Sequence, residues 1–151
     1  MWPFKKQLQI ETLNVDDHKW LVAEASNVDG PMIIRVNTSA KAWAKHPLLN
    51  IRVGFAIPLK QQNPQGLPAP EENIELNQVE DTICSLMKST GPALQVLAIA
   101  TGTFKEFVFY MKNGDRVAEI HKQLMSEITS HEVQCVAEHD PKWTVYASFA
   151  K

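Results

Sequence analysis

The chain contains no apolar run near the ~20 residues that a membrane-spanning helix requires, and its opening MWPFKKQLQIETLNVDD has no continuous apolar core of a secretory signal. Both absences read as a cytoplasmic protein, intact from Met1. Cysteine is scarce. Cys84 and Cys135 are the two among 151 residues, one in a helical pattern and one in a strand pattern, which argues against a disulfide framework and favours a reducing compartment. An excess of charge of one sign is also missing: 15 Lys and Arg against 17 Asp and Glu leave a net −2. That balance supplies no broad basic footprint for a phosphate backbone, although a local patch stays open, so nucleic acid is disfavoured as a partner, and the lack of a long apolar run argues against a membrane. No glycine-rich phosphate loop, GxSxG elbow or HExxH helix occurs, and the residues therefore name no catalytic group, cofactor or metal.

What is present is an ordinary globular composition, 44% hydrophobic and 21% charged, enough for one domain over 1–151. The runs WLVAEA (Trp20 to Ala25) and PMIIRVN (Pro31 to Asn37) flank the turn formers Asn27, Asp29 and Gly30, a hairpin pattern. TSAKAWAKH is weakly helical or irregular. In NIRVGFAIPL, residues Ile51, Val53, Phe55 and Ile57 alternate with Arg52, Gly54 and Ala56, the clearest strand. The proline-rich KQQNPQGLPAP is a surface loop. Leu76, Val79, Ile83, Leu86 and Met87 then recur at helical spacing, led by Glu71 and Glu72 and stopped by Gly91-Pro92.

ALQVLAIAT and KEFVFYMK flank Gly102 as a second hairpin, and Asp115 is placed to cap a helix carrying Val117, Ile120, Leu124 and Ile128. A strand over His131 to His139 follows. From Asn50 the order is strand, helix, strand, strand, helix, strand. The expected class is α+β: a ferredoxin-like split βαβ core over 49–139, with an N-terminal hairpin extension over 1–48 and a C-terminal aromatic clamp over 140–151. Both helices lie on one sheet face. The other face starts open, and coverage by the hairpin, by the C-terminal segment or by a second subunit is the ordinary outcome.

Trp20, the GLP of Gly66 to Pro68, the FVFY of Phe107 to Tyr110, and DPKW with Tyr146 resemble the bacterial family called domain of unknown function 695, across roughly Trp20 to Phe149. Such domains are loosely associated with the regulator of ribonuclease E activity B, an acidic protein inhibitor. The resemblance implies a ferredoxin-like fold and a regulatory role. It carries no catalytic residues over. The net charge of −2 departs from the acidity of that regulator.

Several side chains invite a chemical reading. His131, Cys135 and His139 are spaced by four, but on a strand rising ~3.3 Å per residue neighbours in the set stand ~13 Å apart, too far to share a zinc ion. His139-Asp140 resembles a base and its orienting carboxylate, yet Asp140 followed by Pro141 reads better as a helix N-cap with proline at the first helical position. Cys84 and Cys135 sit among apolar neighbours as small hydrophobes. Tyr110 is the single aromatic on the open face, beside Glu106, Glu132 and Glu138, a poor platform for stacking bases. Trp43, with Lys41, Lys45 and His46, forms a small basic and aromatic patch whose plainer role is an inward anchor.

In the tail, a short helix aligns Trp143, Tyr146 and Phe149 at steps of three, able to lock the chain end onto the domain. The leading functional expectation is a non-enzymatic protein-interaction or regulatory module, with a protein partner or a homodimer open. The alternative is a small-molecule enzyme or binder of the dimeric ferredoxin-like type, using Tyr110, His121, His131 and His139 around a cleft. RNA binding ranks third.

Overall fold

The computed structural model describes residues 8–13, 18–27 and 30–150. The start of the chain and the tip of the first hairpin at 28–29 lie outside them. The class is α+β. Six strands, β1 (Trp20–Asn27), β2 (Gly30–Asn37), β3 (Ile51–Pro58), β4 (Ala93–Ala100), β5 (Phe104–Met111) and β6 (Gln134–His139), form one sheet in the order β1-β2-β4-β5-β3-β6. Every neighbouring pair is antiparallel. Three helices accompany it: α1 (Pro70–Ser89), α2 (Val117–Glu127) and the short α3 (Thr144–Phe149).

Alternation in the strands builds two apolar layers. Val53, Phe55, Ile57, Phe107, Phe109 and Met111 face α1 and α2, meeting Leu76, Val79, Ile83, Met87, Ile120 and Leu124. These are the positions at which the helical and strand periods both fall on apolar residues. On the opposite face Ile34, Val36, Leu94, Val96, Leu97, Ile99, Val108 and Tyr110 pack with Leu49, Trp143 and Tyr146. A register shift between Gln95 and Leu97 marks a bulge at Val96. It puts Val96 and Leu97 in the same layer and returns Ala98 to the helix side.

α1 ends at Ser89 and the chain turns through Gly91 at φ 114°, a left-handed conformation that glycine takes without Cβ cost. Gly102 serves another purpose. A Cβ there would sit 1.7 Å from the Asn63 carbonyl oxygen, so glycine lets the proline loop close onto the β4–β5 turn, where Asn63 N–H donates to Gly102 O at 2.7 Å.

Some local expectations need correction. Asp115 does not cap α2. A 3-10 turn over Gly114–Arg116 leads into that helix, whose first turn has no side-chain cap. Ile128 lies just past the helix, as its C-cap. β6 begins at Gln134 rather than His131, because the preceding residues are drawn toward the helices: His131 Nε2 lies 2.7 Å from Glu72 Oε2, and His121 Nε2 lies 2.6 Å from Val133 O. Pro141 is not the first residue of a helix, since α3 starts at Thr144 after Trp143 adopts φ 55°, ψ 44°.

Candidate functional site

The hairpin β1–β2 carries the sheet beyond the reach of α1, so the helix-side face of β1, β2 and the end of β4 is roofed only along one margin. The result is a trough of adjoining hollows of about 500, 490 and 420 Å³. The register sets its floor. Val22 pairs with Arg35 and Arg35 with Ala98, while Glu24 pairs with Ile33 and Ile33 with Ala100. Side chains two apart on each strand therefore face the same way. α1 supplies the wall through Asn73, Asn77, Glu80, Asp81 and Cys84, and Leu67-Pro68 of the loop close one end.

A charged bar divides the trough. Arg35 donates from Nη2 to both Glu80 oxygens at 2.7 and 2.6 Å, and Gln95 Nε2 adds a third bond to Glu80 at 2.8 Å. The guanidinium also lies 5.1 Å above the Trp20 ring, a favourable placement over its negative face. Gln95 in turn accepts from Cys84 Sγ at 3.2 Å. Burial first, then the negative charges of Glu80 and Asp81, push the Cys84 thiol up to about 12. It is a hydrogen-bonding thiol at neutral pH, without nucleophilic character. Lys105, 7% exposed, enters the other side of the bar.

The residues that the sequence singled out lie elsewhere and fall into separate groups. Tyr110, Trp143 and Tyr146 come together. Tyr110 and Trp143 stack with centroids 4.1 Å apart and planes 8° from parallel, and Tyr146 meets Trp143 edge-on at 5.5 Å. Tyr110 Oη donates to Asp140 Oδ2 at 2.7 Å, Trp143 Nε1 to Leu49 O at 2.8 Å and Tyr146 Oη to Asn37 O at 2.7 Å. Asp140 itself accepts from Thr144 N at 3.0 Å and from Thr144 Oγ1 at 2.9 Å. Burial opposes its ionisation, yet these bonds together hold its carboxyl below the usual range. The cluster occupies the sheet face that would otherwise be open, with Tyr110 at 0% and Trp143 at 1% exposure.

His131 is bound to Glu72, whose carboxylate also accepts from Lys60 N at 2.6 Å and Gln61 N at 3.1 Å. Burial works against the Glu72 charge, but His131 and the two backbone N–H groups lower its pKa overall. His121 is engaged by Val133 O, and His139 is exposed at the end of the edge strand β6, paired with Ile51. Trp43 is half-buried against His46 at 5.6 Å. Neither Tyr110 nor any of these histidines lines the trough. Burial pushes Cys135 up to about 11. Among the described residues no three His, Cys, Asp or Glu side chains are grouped to hold a metal ion, and no helix is long and apolar enough to cross a membrane.

Sequence reasoning missed Arg35, Glu80, Gln95 and Lys105. One signal was available: Lys105 stands in phase with Phe107, Phe109 and Met111, so the alternation that buries the two phenylalanines and the methionine buries the lysine as well.

Fold and trough define an α+β domain with a six-stranded antiparallel sheet, helices on both faces and a polar groove beneath its first hairpin. The chain belongs to the DUF695 family, a family of unknown function, whose profile matches residues 18–150. No match was found among curated proteins or among solved structures.

Proposed function

We propose that the chain is a non-enzymatic protein-interaction or regulatory module on a ferredoxin-like core, and that the free edge of β1 is its recognition surface. One observation carries the reading. Among the described residues β1 is an eight-residue strand at the margin of the sheet, paired on one side only with β2, and Leu21 through Ser26 are all exposed. Leu21 is 58% and Val22 60% exposed. Natural edges of this length are usually blunted by lysine, proline, a bulge or a covering segment, and WLVAEASN holds neither lysine nor proline. An extended segment of a protein partner laid along it gains main-chain hydrogen bonds, with Leu21 and Val22 offering apolar contacts on opposite faces.

The order β4-β5-β3-β6, antiparallel throughout and with α1 and α2 on one face, supports the finer description of the core as a split βαβ unit. A cytoplasmic setting belongs to the same proposal, supported by two cysteines that are free thiols. So does a regulatory role of the kind that likeness to the ribonuclease regulator implies.

The test uses Leu21→Glu combined with Val22→Glu. Both positions are exposed, so the variant keeps its melting temperature within a few degrees. Crosslinked capture by the parent chain recovers a defined partner that the variant loses. Recovery of the same proteins by both would overturn the edge reading, while light scattering showing a parent dimer and a monomeric variant would make the occupant a second copy.

A further inference from the structure

Lys105 begins the inward-facing series of β5, and its stem runs beside Phe107 with Nζ 5.6 Å from the ring centroid. It is 7% exposed. Among the described residues its ammonium has no hydrogen-bond or ion-pair partner. The burial belongs to its stem, while the ammonium itself reaches the hollow and is not a fully buried unpartnered nitrogen. Burial holds this one below the ordinary lysine range, Glu80 draws it back up and Arg35 pushes it down further. Glu80 does not discharge it, because that carboxylate is already taken bidentately by Arg35 and again by Gln95.

The lysine lines the hollow of about 490 Å³. α1 sets Asn73 and Asn77 over that hollow, one turn apart on the same helix face. Their side-chain amides make no hydrogen bond among the described residues. The remaining surface is largely apolar, with Val22 and Ile33 on the floor and Leu67 at the end. One cation without a hydrogen-bond or ion-pair partner, two exposed amides and apolar walls therefore line the same space.

We propose that this hollow is a binding site for a small monocarboxylate on a short aliphatic body. The carboxylate sits on Lys105 Nζ with the Asn73 and Asn77 amides donating to it, and the aliphatic part lies on Val22, Ile33 and Leu67. Charge-assisted bonds are the strong ones in such a setting. A phosphate dianion fits less well, since its second charge would face the Glu80 carboxylate and its body offers the apolar walls nothing. The site shares Val22 with β1 but takes its cation from β5 and its amides from α1, and it requires no protein partner.

The test is titration calorimetry of the full chain with sodium hexanoate, with hexanamide and inorganic phosphate as parallel probes at matched ionic strength. Saturable binding of hexanoate is expected, with hexanamide and phosphate at least tenfold weaker. Lys105→Met, which keeps the buried stem, weakens hexanoate by about tenfold or more and melts close to the parent, because it gives up no hydrogen bond or ion pair. Asn77→Ala, at an exposed position, stays folded and weakens hexanoate several-fold. Absence of saturable hexanoate binding, equal binding by Lys105→Met, equal binding of hexanamide, or a preference for phosphate would each overturn the proposal. So would a Lys105→Met variant that melts well below the parent, since the lysine would then be structural. No partner protein enters the assay, so its failure leaves the reading of the β1 edge standing.

Discussion

Replacing Trp143 by Ala removes the largest fully buried side chain of the layer between the sheet and α3. Deleting a buried aromatic to alanine costs about 3–5 kcal/mol through lost transfer energy and the cavity left behind. Leu49 O loses its 2.8 Å bond from Trp143 Nε1, which adds about 1 kcal/mol. The parallel stack with Tyr110 and the edge contact with Tyr146 disappear with the ring, so the upper half of that range applies, about 4–5 kcal/mol, and about 5–6 kcal/mol with the lost bond. Domains of this size are stable by roughly 5–15 kcal/mol, and a loss of this size lowers the melting temperature by about 10–20 °C. Urea unfolding followed by tryptophan fluorescence and circular dichroism measures it. Trp143→Phe, which retains a ring to stack but not the Nε1 bond, should lose about 1–2 kcal/mol. A Trp143→Ala loss below about 1.5 kcal/mol would refute the view that this segment locks the sheet face.

Other outcomes follow from the same contacts. Tyr110→Phe should destabilise by about 1–2 kcal/mol in urea, since Asp140 keeps its Thr144 bonds while losing one buried partner. Truncation after Asp140 should lower the melting temperature by more than any point substitution in α3, because it strips Trp143 and Tyr146 together from the face they cover. Glu72 and Asp140 both have folded pKa values below their ordinary ones. Their contribution is therefore complete above the unfolded carboxyl range and is lost as pH falls through the folded values, so stability should drop below about pH 4 and Glu72→Gln should flatten that drop. Cys84 and Cys135, with thiols raised to about 12 and about 11, should react with iodoacetamide at pH 7.5 far more slowly in the folded chain than in urea.

The helices and strands were legible because their periods put apolar residues on one face: Ile51 to Ile57 at every second position, and Leu76, Val79, Ile83 and Met87 at helical steps. The tail was legible in part. Its aromatic spacing marked a clamp, but the left-handed turn at Trp143 delays the helix by a turn, and nothing in DPKW announces it. Asp140 still bonds the first N–H groups of that helix, at Thr144 and, more weakly at 3.4 Å, Val145, from farther back than the usual cap position. The trough was illegible because it is made by pairings across long sequence distance, such as Arg35 with Glu80, 45 residues apart. Periodicity assigns each of these residues to a face and says nothing of its partner. The four family motifs also divide in space: FVFY and DPKW build the clamp, whereas Trp20 and the GLP segment border the trough.

The central claim, that β1 is the recognition edge, is tested most directly by amide hydrogen exchange of the chain with and without its captured partner. The account predicts that exchange slows over Trp20–Asn27, whose outer backbone groups have no strand partner among the described residues, with little change along α2 and β6. Protection confined to α2 or β6, with β1 exchanging as fast as in the free chain, would contradict it.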